Sequence, residues 1–351
     1  MKTIFAESPE TEQWRILQTY TYSSNIERYF NNKGLSYDNK TIEIISGSIL
    51  QAQEYFNTSI QASLYTRSLL LYYGVSNLLL GILGLHNGKT EHITDHGMKI
   101  IIPPEYSKIA EIQIRPCNEV SGALSIFLKM FDDSLNICHS GDWTISELLG
   151  SIPEILDDFL LCYQGHQPYC IPLEIKKNKQ NVVERIQNNY LNNFSEPFSF
   201  SNDIRGFKAN YLSPQYIGEY VILRRKLDYN EIGIFHISGK KHLQVLHLKN
   251  SKKIALPIEI YMFMILFSLS YVSRYHSEIW NPFVSKDATG EKLIIERFLD
   301  SCRRLFPNYM LNYLEKENIR FTNSPQGITD TSTQLTEQEV IEIVNNMDRR
   351  K

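Results

Sequence analysis

Four side chains of this 351-residue sequence are chemically suited to bind or transform an anion. Arg274 and His276 lie near the end of a long apolar run, Arg67 lies near the start of another, and His96 stands in a glycine-flanked stretch between them. Arginine supplies a fixed cation for phosphate or carboxylate groups, and histidine exchanges a proton near neutral pH. These residues are therefore candidates for a binding or catalytic site.

Each of these candidates also has a purely structural interpretation. Arg274 and His276 stand where a helix should end, and cations there interact favourably with the helix dipole. Arg67 falls in the first turn of a helix, where a cation is unfavourable, so a protein carboxylate or an anionic ligand should offset it. His92 and His96 have a spacing that could hold a metal on a helix, but the segment has loop character and no third ligand is evident. We therefore predict no metal site.

The middle of the chain contains a second candidate site, because its charge differs from that of the rest. Residues 164–254 hold 14 Lys or Arg against 7 Asp or Glu, whereas the remainder holds 22 against 32. Aromatic residues are interleaved with the basic ones from Tyr190 to Tyr220. Basic grooves with aromatic platforms are typical of proteins that bind single-stranded nucleic acid. The candidate binding residues in this segment are Arg224, Arg225, Lys240 and Lys241.

The same pattern has an alternative interpretation, in which the aromatic residues form a core and the bases face the acidic remainder of the chain. The sequence has no glycine-rich phosphate loop, nucleophile elbow or metalloprotease motif. These absences count against dinucleotide-binding dehydrogenases, P-loop NTPases, α/β-hydrolases and zincins. No cofactor is indicated, and whether the chain is an enzyme stays open.

Hydrophobic periodicity predicts the helices that position these residues. Apolar residues at helical spacing between Ile42 and Phe56 indicate one amphipathic helix, and two others, near 64–85 and 258–280, are apolar on nearly every side. Helices of that kind need burial, so we expect the two to pack together, with the glycines of the first allowing close approach.

The fold class is predicted to be mainly α with a β-containing segment (α+β), a helical bundle with a small β-rich basic module between its two parts. The expected divisions are 1–163 for an N-terminal helical part and 164–254 for the basic aromatic-rich segment. A C-terminal helical part, 255–318, should pack on the first, and 319–351 should form a linker and a tail helix.

Local signals predict where several helices begin and end. Thr144 and Glu147 form a capping box at the start of a helix that Pro153 should kink or divide. Pro282 and Pro307 are each expected to end the helix before them.

Composition predicts a soluble, cytoplasmic protein. The five cysteines form no CxxC pair, and the first 15 residues carry three glutamates where a signal peptide needs an apolar core. The two longest apolar runs are too short or too interrupted to span a bilayer, so no membrane contact is expected.

Several short motifs occur in a fixed order along the chain. They are Ala52–Phe56 (AQEYF), Thr66–Gly74, His96 with Gly97, Ser273–Trp280 (SRYHSEIW) and Phe298–Pro307. This arrangement resembles the YaaC-like family of bacterial proteins, from about residue 40 to about residue 315. The family has no settled activity, so the resemblance implies no catalytic residues.

The tyrosine-rich helical pair is also broadly similar to the HEPN superfamily, which includes RNA-cleaving toxins and nucleotide-binding modules. For a nuclease, that similarity implies an arginine followed by four to six residues and then a histidine. None of the nine histidines has an arginine at that spacing. An arginine and a histidine from different helices could still meet.

Three hypotheses for function follow. The leading one is a protein that binds nucleic acid or nucleotide through the basic central segment, with Arg67, His96, Arg274 and His276 as the next candidates. The second is a HEPN-like ribonuclease or toxin-type effector, with phage defence as one setting for it. The third is a structural subunit whose tail helix docks on a protein partner or on a second copy.

Overall fold

A computed structural model describes most of the chain. The described residues are 2–105, 108–178, 181–194, 197–204, 206–226, 234–235, 240–246 and 253–323. They fall into two compact units. Unit 1 consists of the described residues of Met1–Leu149 and Leu256–Ile328, and unit 2 of those of Gly150–Ala255. The tail helix and most of its linker lie outside the described residues, as does most of the strand expected near 232–237.

The described chain is mainly α with small β-sheets. Its helices are α1 (Pro9–Gln18), α2 (Ser23–Lys33), α3 (Asn39–Gln61), α4 (Leu64–Asn87), α5 (Ala123–Phe131), α6 (Ile145–Leu149), α7 (Leu156–Cys162), α8 (Asn188–Leu191), α9 (Phe200–Asp203), α10 (Phe207–Asn210), α11 (Ile258–Tyr275), α12 (Ser277–Lys286) and α13 (Glu291–Glu315). Its strands are β1 (Lys2–Phe5), β2 (Met98–Ile101), β3 (Gln113–Pro116), β4 (Trp143–Thr144), β5 (Cys170–Asn178), β6 (Asn181–Gln187), β7 (Gln215–Ile217), β8 (Tyr220–Leu223), β9 (Ile234–Phe235), β10 (Lys241–Gln244) and β11 (Ile319–Thr322).

The two apolar helices, α4 and α11, contact each other in unit 1, as their composition predicts. Tyr72 of α4 packs against Phe263 and Phe267 of α11, with both ring centroids 5.7 Å away. Burial explains the apolar composition of both helices, since α11 is buried along nearly its whole length. Helix α4 is also long and apolar enough to cross a membrane, but two thirds of that stretch is buried, which is typical of a core helix in a soluble protein.

The glycines of α4 face α3 rather than α11. A Cβ atom added at Gly74 would lie 2.7 Å from a ring carbon of Phe56, and one at Gly81 would lie 2.9 Å from Ile49. A Cβ at Gly84 would lie 2.7 Å from Ile45. The close approach that the glycines allow is therefore the α3–α4 contact, which corrects the expectation that they serve the pairing with α11.

Two prolines lie inside helices that they were expected to end. Helix α11 ends at Tyr275, where the backbone of His276 leaves the helical region, and α12 then runs through Pro282. Helix α13 continues unbroken through Pro307. A proline removes one helical hydrogen bond, and burial of the flanking side chains, such as Phe283 and Phe306, offsets that loss.

The capping box at the start of α6 is formed as the sequence predicts. The carboxylate of Glu147 accepts a hydrogen bond from the backbone N–H of Thr144 at 2.7 Å, and the Thr144 hydroxyl accepts one from the N–H of Glu147 at 3.2 Å. Helix α6 ends at Leu149, and a 3-10 turn beginning at Pro153 precedes α7. The proline therefore separates two short helices.

Unit 1 also contains two small sheets where only helices were expected. Strands β2, β3 and β4 form an antiparallel sheet, and β1 pairs in parallel with β11, which joins the two ends of the described chain. The 3-10 turn before β3 is held by Glu291 of α13, whose buried carboxylate accepts the backbone N–H groups of Ile109 and Ala110 at 3.0 and 2.7 Å.

Unit 2 is built on one six-stranded sheet in the order β7-β8-β6-β5-β10-β9, in which all neighbouring strands are antiparallel. Alternate residues of its strands, such as Ile171, Val221 and Leu243, form the core together with side chains of α9 and α10. This sheet is the β-containing segment that the sequence predicts, and strand β10 begins two residues earlier than the apolar run 243–248 suggests.

Candidate functional site

Two of the four basic residues expected to bind a ligand in the central segment pair with a buried carboxylate of unit 2. Lys241 is 1% exposed, and its Nζ atom lies 3.9 Å from the carboxylate of Glu184. Arg225 forms an ion pair with the same carboxylate, with Nε at 2.8 Å. Glu184 is itself 1% exposed, so the cluster is buried at Glu184 and Lys241 and reaches solvent at Arg225. Lys241, a candidate binding residue by sequence, is therefore not exposed to a ligand.

Strand alternation explains the position of Lys241. It stands two residues before Leu243 on β10, and residues two apart on a strand point to the same face. Leu243 is in the core, so Lys241 faces inward as well. Of the other two bases, Arg224 donates a hydrogen bond to Gln215 at 2.9 Å and Lys240 is exposed.

Most aromatic residues of the central segment form its core and are not available as a stacking platform. Phe200, Phe207 and Tyr211 are buried, and their rings pack in sequence with centroids 5.3 and 5.0 Å apart. Tyr190, Phe194 and Phe198 pack against this core. Tyr216 is exposed, and the Arg185 guanidinium lies 4.0 Å from the centroid of the Tyr220 ring. The structural interpretation of these aromatics is therefore correct for most of them.

Unit 1 brings other candidates together around Tyr72 of α4. Its hydroxyl lies 2.6 Å from Nδ1 of His96, and the imidazole also packs on Phe267 at 5.2 Å between centroids. Burial raises the pKa of Tyr72 well above its usual range. Burial also lowers the pKa of His96, as does the charge of Arg274, while Asp95 opposes the shift. Burial and the charge of Arg274 thus both favour the neutral form of His96.

The loop that carries His96 is fixed by the start of α5. Asp95 accepts hydrogen bonds from the Asn118 side chain at 2.6 Å and from the N–H of Gly97 at 2.7 Å. The backbone N–H of Leu124 donates to the carbonyl of His96 at 3.2 Å. Gly97 has a φ of +72°, and a Cβ there would lie 3.1 Å from the Leu124 nitrogen, so glycine is required at this crossing.

Arg274 lies in the last turn of α11, beside the same tyrosines. Its Nε atom donates to the carbonyl of Ser270 at 3.0 Å, and a terminal nitrogen donates to the Tyr73 hydroxyl at 3.3 Å. The guanidinium carbon lies 5.0 Å from the Tyr275 ring centroid and 5.9 Å from that of Tyr73. No carboxylate among the described residues forms an ion pair with it. Its position also satisfies one of the last carbonyls of α11, as helix capping predicts.

The other two candidates already have acidic partners. Arg67 forms an ion pair with Asp300 of α13, so a protein carboxylate offsets its position at the start of α4. Nδ1 of His276 lies 2.9 Å from the carboxylate of Glu278. His92 is exposed, and the described residues contain no group of three or more His, Cys, Asp or Glu that could hold a metal ion.

The tyrosine cluster, which we define as Tyr55, Tyr72, Tyr73, Tyr271 and Tyr275, includes the rings that contact His96 and Arg274. Tyr55 of α3 stacks on Tyr73 with centroids 5.7 Å apart, and Tyr271 packs on Tyr275 at 5.0 Å. Sequence analysis did not single out these tyrosines as site residues. Four of the five lie in motifs that carried the family resemblance. The sequence signal that could have identified the tyrosines is therefore their presence in several motifs, which meet in the fold.

This architecture defines a mainly helical protein that carries a polar aromatic site on its helical bundle. The family model for YaaC-like proteins matches residues 4–314, so the chain belongs to the YaaC-like family. No curated protein and no solved structure matches the chain. The broader similarity to HEPN proteins is not shown by these comparisons.

Proposed function

We propose that the protein binds the phosphate group of a nucleotide or nucleic acid at the tyrosine cluster, with Arg274 as the main cationic contact. The observation that supports this most directly is the environment of Arg274. Its guanidinium lies beside the rings of Tyr73 and Tyr275 and has no ion-pair partner among the described residues. A phosphate supplies the missing negative charge, and arginine matches its geometry.

The site thus differs from the central segment that the charge distribution favours. There, Arg225 and Lys241 already share the carboxylate of Glu184, whereas Lys240 remains exposed. We therefore keep the hypothesis of nucleic-acid binding and propose unit 1, instead of the central segment, as its location. A soluble protein in the cytoplasm would meet such ligands, and we infer that location for it.

The test measures fluorescence anisotropy of a fluorescein-labelled single-stranded RNA of twelve nucleotides at several salt concentrations. A hydrogen bond to a charged group contributes roughly 1.5–3 kcal/mol, so Arg274→Gln should weaken binding roughly 10-fold to 100-fold. Affinity of the wild-type protein should fall with salt, because bound phosphates release counterions.

Two matched controls locate the effect. Arg115→Gln removes an arginine of unit 1 that already forms two hydrogen bonds to Asp142, and Lys240→Gln removes an exposed cation of unit 2. Both variants should bind RNA like the wild type. If Lys240→Gln weakens binding and Arg274→Gln does not, the basic segment is the site and this proposal is wrong.

Metal-independent RNA cleavage is a second candidate function, favoured by the placement of His96 and Arg274, which come from different elements, against the adjacent tyrosines Tyr72 and Tyr73. When Nδ1–H of His96 donates to the Tyr72 oxygen, Nε2 presents a lone pair that can remove the proton of a ribose 2′-hydroxyl. That oxygen then attacks the adjacent phosphorus, and the 5′-oxygen leaves and takes a proton from water. The His96 imidazolium returns its proton to the resulting hydroxide, while Arg274 stabilises the charge on the phosphate. The same cleavage would suit a toxin-type effector in phage defence.

This candidate is tested with end-labelled RNA in the presence of EDTA. Cleavage should leave a 2′,3′-cyclic phosphate, and His96→Gln should remove at least 100-fold of the rate, the range typical of a lost general base. His92→Gln is the matched control, since His92 is an exposed histidine of the same loop. Intact RNA after long incubation with the wild-type protein would leave binding as the only proposed function.

A further inference from the structure

We infer that His96 contacts the ligand as a hydrogen-bond donor, through Nε2–H, and that Tyr72 is the positioning residue that fixes this form of the imidazole. This contact rests on the proposed function and adds a second donor to the phosphate that Arg274 binds. The donors and acceptors of two histidine–tyrosine pairs in unit 1 lead to it.

The buried hydroxyl of Tyr72 needs an acceptor for its proton. Tyr72 is 1% exposed, and Nδ1 of His96 lies 2.6 Å from its Oη atom. Ser76 also lowers the pKa of Tyr72, but the Ser76 hydroxyl donates its own proton to the Tyr72 carbonyl at 2.7 Å. Among the described residues, Nδ1 of His96 is the acceptor at hydrogen-bond distance from Oη. A buried donor without an acceptor is costly, so the Tyr72 proton goes to Nδ1.

This hydrogen bond decides which nitrogen of the neutral His96 imidazole carries the proton. A nitrogen that accepts a hydrogen bond presents its lone pair, so the proton of the neutral ring must be on Nε2. His96 is partly exposed, and its Nε2 atom has no hydrogen-bond partner in the part of the chain that the structure describes. Nε2–H is therefore available to an acceptor on a ligand.

A second pair in unit 1, His86 and Tyr313, has the opposite arrangement. The Tyr313 hydroxyl donates to the carbonyl of Met130 at 2.8 Å, while its Oη atom lies 2.7 Å from Nδ1 of His86. Because the one proton of Tyr313 is already donated, Nδ1 of His86 must supply the proton of its own hydrogen bond. The neutral His86 ring then has its lone pair on Nε2, which makes this pair an internal comparison for His96.

A phosphate oxygen is the acceptor that Nε2–H of His96 fits best at this site. Arg274 donates to the Tyr73 hydroxyl at 3.3 Å, His96 is bonded to Tyr72, and the rings of Tyr72 and Tyr73 lie 5.5 Å apart. Hydrogen bonds to a charged oxygen are stronger than those between neutral groups. We therefore expect both residues to donate to one phosphate. Cleavage requires a lone pair on Nε2, so the tautomer favours binding over that second function.

Nitrogen-15 NMR of the histidine side chains at pH 8 reads both tautomers directly. The pKa of each imidazole is lowered by burial, so both rings are neutral at that pH. The spectrum should show a protonated Nε2 for His96 and a protonated Nδ1 for His86. Tyr72→Phe should leave His96 as a mixture of tautomers, whereas Tyr313→Phe should affect His86 alone.

Two results of the NMR experiment would overturn the inference. A protonated Nδ1 in neutral His96 would leave phosphate binding at Arg274 intact and would provide the lone pair that cleavage needs. A change of the His96 tautomer in Ser76→Ala would show that the Tyr72 proton goes to the Ser76 hydroxyl instead. We expect Ser76→Ala to leave the spectrum of His96 unchanged.

Binding of the fluorescein-labelled RNA tests the contact itself. His96→Ala should weaken binding roughly 10-fold, as expected for a lost hydrogen bond to a charged group. His96→Gln should bind more tightly than His96→Ala, because the glutamine amide offers an N–H close to the position of Nε2. His92→Ala, at an exposed histidine of the same loop, is the matched control and should bind like the wild type.

The outcomes of the binding experiment separate the inference from the proposed function. If the wild-type protein binds no RNA at any salt concentration, both fail. If Arg274→Gln weakens binding and His96→Ala does not, phosphate binding stands and the contact through His96 does not. Equal losses in His96→Ala and His96→Gln would show that the donor has no effect, and the inference would again be overturned.

Discussion

The two units differ in whether their cations have an ion-pair partner. In unit 2, Arg225 and Lys241 converge on the buried carboxylate of Glu184, so both cations have an anionic partner within the protein. In unit 1, Arg274 lies among tyrosine rings and has no ion pair within the part of the chain that the structure describes. The charge excess of residues 164–254 therefore gives less information about a binding site than the partners of each individual base.

The largest effect should follow from removing the shared carboxylate of unit 2. Glu184→Ala leaves Lys241 and Arg225 without their common anion, and breaking a buried ion pair from one side costs roughly 3–5 kcal/mol. All three tryptophans belong to unit 1, so the readout is hydrogen exchange of strands β5 and β10, measured by mass spectrometry.

The matched control for that change is Lys241→Met. It removes one cation but keeps the Arg225–Glu184 pair, so its cost should be clearly smaller. If the Glu184 variant exchanges like the wild type, the ion pairs of Glu184 contribute nothing to the stability of these strands.

A partly buried carboxyl group in unit 1 should make the stability of the protein depend on pH, because its burial and not an ionic partner sets its pKa. Burial raises the pKa of Glu259, in the first turn of α11, to about 7. Between pH 4.5 and 7 the folded protein then holds a proton that the unfolded chain has lost, so stability falls as the pH rises. We expect a loss of roughly 2–3 kcal/mol over that interval, less than the full linkage because the side chain is partly exposed.

Urea titrations at pH 5, 6 and 7 measure that slope, which Glu259→Gln should abolish. A carboxylate with an unrecognised ionic partner would give the opposite sign, with stability increasing as the pH rises. The sign alone therefore distinguishes the two ways of accommodating a buried charge.

Unit 1 should owe the position of its site to tight helix packing. Gly81→Ala places a Cβ 2.9 Å from Ile49 of α3, so we expect a loss of roughly 1–3 kcal/mol in thermal unfolding. Gly47→Ala in α3 is the matched control. Its Cβ would meet nothing within 4 Å, so the better helix propensity of alanine should stabilise it by roughly 0.5–1 kcal/mol. Equal effects of both variants would show that α3 and α4 separate easily.

The smallest effect concerns the capping box of α6. Glu147→Ala removes the acceptor of the Thr144 N–H, at a cost of about 1 kcal/mol, whereas Glu147→Gln keeps an acceptor and should lose only a fraction of that. Thermal unfolding of the two variants checks this. Equal losses in both would indicate that the charge of Glu147 matters more than its hydrogen bond.

Local signals in the sequence predicted those features that depend on neighbouring residues. The capping box of Thr144 and Glu147 and the burial of α4 and α11 follow from spacing and composition alone. The prediction that Pro282 and Pro307 end helices was wrong. A local rule counts only the hydrogen bond that a proline removes, whereas the side chains buried around each proline come from elsewhere in the chain. Lys241 was a candidate binding residue because it belongs to a run of bases, yet strand alternation places it on the same face as the buried Leu243.

The site itself was predictable only in parts. His96 and Arg274 were candidates by residue type, but nothing in spacing joins residues that are separated by more than half of the sequence. Their meeting depends on α4, α5 and α11 packing in one bundle. The sequence showed the tyrosines as parts of family motifs. Only the folded chain shows that they lie together.

Unit 1 is built from two separate parts of the chain, which leave the ribosome at different times. Its first part ends at Leu149, and its second part starts at Leu256, after the whole of unit 2 has been made. At roughly 5–20 residues per second, the intervening stretch of about 100 residues takes roughly 5–20 s to synthesise. During this time the apolar surface that α4 later buries against α11 has no native partner.

Closure of unit 1 is therefore a late event in synthesis, and the parallel pairing of β1 with β11 comes later still. Contacts between such distant parts of a sequence slow folding, because a long loop must close before they form. A nascent chain with an uncovered apolar helix is a natural client for a chaperone. Chains arrested before α11 should be retained by one, and chains arrested after β11 should be released.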